Sequence, residues 1–241
     1  MGVERTGGAR PLPSPDGAPV GTTLKYNPQL WSDDELRAIF VVRQPELAAL
    51  LDAVRRTPPD SVPQHRLIIG QRGMGKTTLL RRLALAIRDD AGLSHDWLAL
   101  TFPEEQYTVS TLTELWRNAV DALADALEDG GSPAAELAAL DAEIAGIDDL
   151  PPAEREDAAL ALLTDWIARH QRRIVLLIDS TDLLFAALAG GGKALADGRG
   201  GRQSDADATP LWRLRKALTH QPGLFWIGAS YQALEAEHPY H

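Results

Sequence analysis

The sequence predicts an α/β fold of three layers, a parallel sheet covered by helices on both faces, with helices before the first strand and a helical insertion between the second and third. Three observations predict it. Short apolar runs alternate with amphipathic helical patterns along the chain, which indicates parallel strands joined by helical crossovers. Arg173–Asp179 is read as a strand, a continuous β-branched and leucine run that ends in an aspartate, as expected of a strand buried on both faces. Another short apolar run, Arg66–Gly70, leads directly into a glycine-rich loop and then a helix.

Residues 1–22 carry Pro11, Pro13, Pro15 and Pro19 among glycines and charges, and read as a disordered tail. Residues 23–60 read as an N-terminal helical segment. Ser32 and Glu35 have capping-box spacing ahead of Leu36, Ile39 and Phe40. Pro45 is read at the first position of a second helix whose apolar face is Leu47, Leu50, Leu51 and Val54. Residues 61–241 read as the core domain. After Arg66–Gly70 a helix runs from Lys76 to about Arg88, and Asp96–Phe102 is the second strand, closed by Pro103. Residues 110–170 read as wholly helical. Thr111 and Glu114 form another capping box, and Gly130–Pro133 and Pro151–Pro152 restart the helix. Residues 190–208, with their glycines, aspartates and arginines, read as a flexible loop. Thr209–Pro210 opens a further helix, and Leu224–Ser230 is the fourth strand.

The 241 residues suffice for one large α/β domain, and 44% apolar content supports a sizeable core. The net charge of −10 argues against nucleic acid as a partner of the whole chain, although the loop carrying Lys193, Arg199 and Arg202 leaves local contact open. Between Asp121 and Asp157 lie twelve acidic residues and one basic residue, Arg155, so much of that charge sits on the helical insertion. There is no cysteine, which excludes disulfides and thiolate metal sites. No apolar run approaches the roughly 18 residues that span a membrane. A soluble, cytoplasmic chain is the expectation.

The chemistry lies in Gly70-Gln71-Arg72-Gly73-Met74-Gly75-Lys76-Thr77, with Thr78 following. Glycines at this spacing let backbone amides turn inward and approach phosphate oxygens without a side chain in the way. The helix that starts at Lys76 directs its positive dipole end at the same place. Lys76 is expected to reach the terminal phosphates of a nucleoside triphosphate, and Thr77 to coordinate Mg²⁺. Asp179, at the end of the third strand, is the expected second magnesium-linked group. No Asn-Lys-x-Asp guanine motif occurs, which favours ATP.

These two motifs, with the strand ending at Ser230 after them, resemble the AAA+ and STAND branches of phosphate-loop ATPases, in particular origin-recognition-like and STAND-like bacterial members. Phe40–Leu47 is similar to the segment those families place before the first strand, and the resemblance puts Val42 and Arg43 near the adenine. It implies a polar sensor at Ser230, on a strand lying between those of the first and second motifs. It also implies self-association or a protein partner under nucleotide control. The chain departs from the family pattern in two ways. Many members have Glu directly after the strand-end Asp, to orient the attacking water, whereas this chain has Ser180; Asp182 and Glu105 are the candidate bases in its place. The family continues past the sensor strand into a fifth strand and a helical lid, whereas this sequence stops at His241, so the reading expects a domain truncated before the lid. A non-hydrolysing ATP-binding module and a small-molecule kinase remain open as alternatives.

Overall fold

The computed structural model describes residues 31–102, 109–196 and 209–231. Its strands β1 (Arg66–Ile69), β2 (Trp97–Thr101), β3 (Arg173–Ile178) and β4 (Leu224–Ser230) form one sheet in the order β1-β4-β3-β2. All three pairings are parallel. The strand ending at Ser230 therefore lies between the strands that lead to Gly70 and Asp179. Helices α1 (Asp33–Ile39) and α2 (Gln44–Arg56) precede β1, and α3 (Lys76–Asp89) and α4 (Ala91–Asp96) join β1 to β2. The insertion before β3 consists of α5 (Leu112–Asp129), α6 (Ala134–Asp148) and α7 (Pro152–His170). α8 (Thr181–Ala196) and α9 (Pro210–His220) lie between β3 and β4.

The layering follows from alternation along the central strands. Ile174, Leu176 and Ile178 of β3, with Leu224 and Trp226 of β4, pack into a core shared with α5 to α9. Val175 and Leu177, with Phe225, Ile227 and Ala229, pack on the other face with α2, α3 and α4. Successive side chains of a strand point to opposite faces, so continuous apolar runs here supply both cores. Each fully buried Leu or Ile contributes about 1.5–3 kcal/mol. Leu79 and Leu83 of α3 are 0% exposed and fix the helix that follows the glycine-rich loop onto the sheet.

Both capping boxes form: Ser32 accepts from Glu35 N, Thr111 accepts from Glu114 N, and the glutamates reach back to the cap amides. The insertion is tied together by arginines, with Arg117 of α5 donating to Asp148 of α6 at 3.0 Å and Arg169 of α7 donating to Glu143 of α6 at 2.9 Å. Four details differ from the sequence expectation. α2 begins at Gln44, one residue earlier, so Pro45 occupies its second position, and the cap is Arg43 in a left-handed conformation. Asp96 ends α4, a short helix capped by the Asp90 side chain, and β2 starts at Trp97. β3 ends at Ile178, which leaves Asp179 in the turn. α8 continues to Ala196, through residues read as loop. Its glycines cost roughly 1 kcal/mol each relative to Ala, but alanines and leucines flank them and carry the helix on. Glu105, the tail 1–22 and residues 197–208 lie outside the described residues.

Candidate functional site

The site is built at the carboxyl ends of β1, β4 and β3. Where β1 ends, Gly70 N donates to Ser230 O at 3.2 Å, joining the start of the loop to the end of β4. The chain then turns through Gly73 (φ 80°) and Gly75 (φ 75°), a backbone that L side chains rarely adopt. A Cβ at either glycine would meet nothing within 4 Å, so conformation rather than crowding requires glycine there. Gln71, Arg72, Gly73 and Met74 are exposed, while Lys76, Thr77 and Thr78 are half-buried at the start of α3. Lys76 Nζ donates to Gly70 O at 2.7 Å and Gln71 O at 3.1 Å, holding the ammonium across the mouth of the loop.

The amino end of α3 differs from those of α1 and α5. Gly75 caps it with no side-chain hydrogen bond, and its first turn holds no acidic residue. The free amides and the positive end of the helix dipole are thus left to an external anion.

Asp179 approaches from the turn after β3. Its Oδ2 accepts the Thr77 hydroxyl, and its Oδ1 accepts Ser180 N at 2.8 Å. Thr77 and Asp179 stand 102 residues apart in sequence and meet only because β1 and β3 flank β4. Ser180 is itself left-handed (φ 52°), and its carbonyl accepts Leu183 N and Leu184 N, which starts α8. Ser230 is fully buried at the end of β4.

The remaining expected residues stand further out. Asp182 Oδ1 accepts Tyr231 N at 3.3 Å, which clips the first turn of α8 to the residue after β4. Val42 is 68% exposed in the link between α1 and α2, beside Arg43. That link is anchored by Phe40, which packs with Leu79, Leu80 and Leu83 of α3. Among the described residues no hydrogen bond joins Val42 or Arg43 to the loop. Two residues that no sequence motif singles out shape the turn after β3. Thr181 is 1% exposed and donates to Ile178 O, and Gly228 of β4 makes room for its hydroxyl. A glycine inside a strand run is the sequence sign of such a close approach.

A family model described as "AAA ATPase domain" matches residues 39–227. The chain belongs to this family. The match runs from the Val42 link through the phosphate loop and Asp179 into β4, so the site and the family domain coincide. No curated protein matches the chain. Among solved structures it is similar to the ORC2 protein of Aeropyrum pernix in ADPNP–ADP complexes, at 13% identity and TM-score 0.48 over 80% of this chain and 41% of that one. It is also similar to Cdc6p of Pyrobaculum aerophilum, at 15% identity and TM-score 0.44 over 86% and 43% of the two chains. PCH-2 of C. elegans follows at 12% identity and TM-score 0.37, over 80% and 38%. The chain thus spans about two-fifths of the length of these structures. Among the described residues no helix of this AAA ATPase domain is long and apolar enough to cross a membrane.

Proposed function

We propose that this AAA ATPase domain binds ATP with Mg²⁺ at Gly70–Thr78 and uses nucleotide state to control association with itself or with a protein partner. The observation that carries the reading is the contact between the Thr77 hydroxyl and the Asp179 carboxylate at the uncapped end of α3. These are hard oxygen donors of the kind Mg²⁺ takes, alongside phosphate oxygens, so the residues present fit the ion. When bound, the ion neutralises phosphate charge. The loop amides and Lys76 hold the phosphates, Val42 and Arg43 flank the base, and Ser230 stands at the phosphate end of β4. The net charge of −10 gives no support to nucleic acid as the partner.

Binding of a fluorescent ATP analogue tests the reading. Lys76→Ala removes a charge-assisted contact of about 2–3 kcal/mol, a loss of affinity of about 30- to 150-fold. EDTA is expected to weaken binding to wild type as well. Equal binding by wild type and Lys76→Ala defeats the reading.

Turnover is a separate question, and Ser180 favours a second reading in which ATP is retained with little hydrolysis. A serine hydroxyl is a poor general base at neutral pH. Asp182, held by Tyr231 N beside the end of β4, is our candidate for orienting water, and Glu105 is the alternative. Phosphate release from Asp182→Asn and Glu105→Gln separates them. Loss in one variant assigns the base, and negligible release from wild type supports the retention reading.

A further inference from the structure

Among the described strands β2 is the outermost on its side of the sheet, and none of them pairs with its outer edge. α3 covers one face of the sheet and α5 the other. Over the edge their walls stand apart and leave a groove, part of a cavity of about 820 Å³ that reaches Thr77 and Asp179 at one end, with β2 from Trp97 to Ala99 and on to Thr101 along its floor. An edge strand presents unpaired N–H and C=O groups that template a further strand. Arg172 Nε takes the Trp97 carbonyl at 3.2 Å, and no hydrogen bond between described residues closes the edge beyond it.

The two walls differ in charge. On the α3 wall, Arg81 donates to Trp31 O and Arg88 pairs with Asp33, so the cations are already engaged. On the α5 wall, Asp125, Glu128 and Asp129 line the groove, and no hydrogen bond or ion pair between described residues engages their carboxylates. They occupy the carboxyl end of α5, where the helix dipole disfavours negative charge and the last turn has no basic residue. Asp121, Asp125 and Asp129 also repeat at a spacing of four, the geometry of repulsion between like charges on a helix. Burial and the charges of Asp121 and Asp129 push the Asp125 carboxyl up from its ordinary value. As free side chains these carboxylates cost α5 stability, and a cation entering the groove relieves that cost.

We propose that this groove takes an extended, cationic segment of a partner protein, which adds to the outer edge of β2 as a strand. Five residues of β2 offer about 17 Å of edge, room for roughly five residues of an added strand. Alternate side chains of that strand face opposite walls: lysines or arginines toward Asp125 and Asp129, small apolar residues toward Ala84 and Leu85 of α3.

The test uses the full chain and a fluorescein-labelled octapeptide of alternating Lys and Val, read by anisotropy. A second peptide of the same sequence is N-methylated at alternate residues, which keeps the charge and removes the strand-forming amides. The expected result is binding of the first peptide and not of the second, weakened about tenfold or more in Asp125→Asn/Glu128→Gln/Asp129→Asn. Removing repelling charges does not unfold α5, and Asp125→Asn alone moves affinity in the same direction. No binding of the first peptide overturns the proposal. Equal binding of the methylated peptide overturns strand addition, and equal affinity of the triple variant overturns the site.

Discussion

Gly228→Ala puts one methyl group where β4 passes the turn carrying Asp179. The added Cβ would lie 2.4 Å from Thr181 Oγ1, 2.8 Å from Trp226 Nε1 and 3.2 Å from Leu67 Cδ1. The first two cannot withdraw freely. Thr181 is 1% exposed and bonded to Ile178 O, and Trp226 is buried in the α8–α9 core, whereas half-buried Leu67 can shift the end of its side chain. Overpacking of this kind costs about 1–3 kcal/mol, and the stiffer unfolded chain returns about 0.4–1 kcal/mol. The net expectation is a loss of about 1–2 kcal/mol, or a fall in Tm of about 2–8 °C for a domain of this size. Urea and thermal unfolding measure it. Thr181→Ala removes the nearest clashing atom, so the double variant should recover part of the loss, with a coupling of at least about 0.5 kcal/mol. Unchanged stability in Gly228→Ala, or strictly additive effects in the cycle, would refute the close packing of β4 on the Asp179 turn.

Other predictions concern the far end of the sheet. His65 accepts Trp226 N at Nδ1 (3.1 Å) and places Nε2 3.3 Å from Leu218 O, so the neutral ring protonated at Nε2 satisfies both contacts. Burial pushes its pKa below the ordinary 6.5. The native state therefore binds fewer protons than the unfolded chain. Stability from this group is full above about pH 6.5 and falls as pH drops toward the folded value, by at most about 1.4 kcal/mol per pH unit. Urea unfolding between pH 7.5 and 5 should show this fall in wild type and a flatter profile in His65→Gln. Arg173 lies 3.9 Å above the Trp97 ring and donates to Thr57 O at 2.8 Å. Arg173→Lys loses the planar stack and is expected to cost about 1 kcal/mol, read as a lower urea midpoint at unchanged slope.

What the sequence made legible follows a physical division between local and non-local information. The β-branched run of β3, the capping boxes at Ser32 and Thr111, and the glycine loop between β1 and α3 are each decided within a few residues, and the structure has them. α4 has six residues and no room for a periodic signal, so only the Asp90 cap marks it. α8 crosses a glycine run that local propensity reads as a break, and its course depends on the flanking residues and on α9 and β4 beneath it. The site divides the same way. Gly70 to Thr77 is visible because backbone geometry demands those glycines. The clip between Asp182 and Tyr231 spans 49 residues and is set by strand order, which no local pattern encodes. Gly228 inside its strand run signals a close approach, but no local pattern says that Thr181 is the residue that makes it.

Ser180 shows how one position can serve geometry while leaving chemistry short. A non-glycine residue in the left-handed region costs on the order of 1–2 kcal/mol. In return its amide fixes one oxygen of Asp179 while Thr77 takes the other, and its carbonyl starts α8. Both oxygens of the carboxylate are therefore held by the fold itself. The same backbone turn carries a hydroxymethyl group where the resemblance leads one to expect, in many members, a glutamate. Asp182, the next acid along the chain, has one oxygen already committed to Tyr231 N. If the proposed reading holds, the turn is better built for holding a nucleotide than for consuming it, and phosphate release from wild type is the measurement that decides between the two.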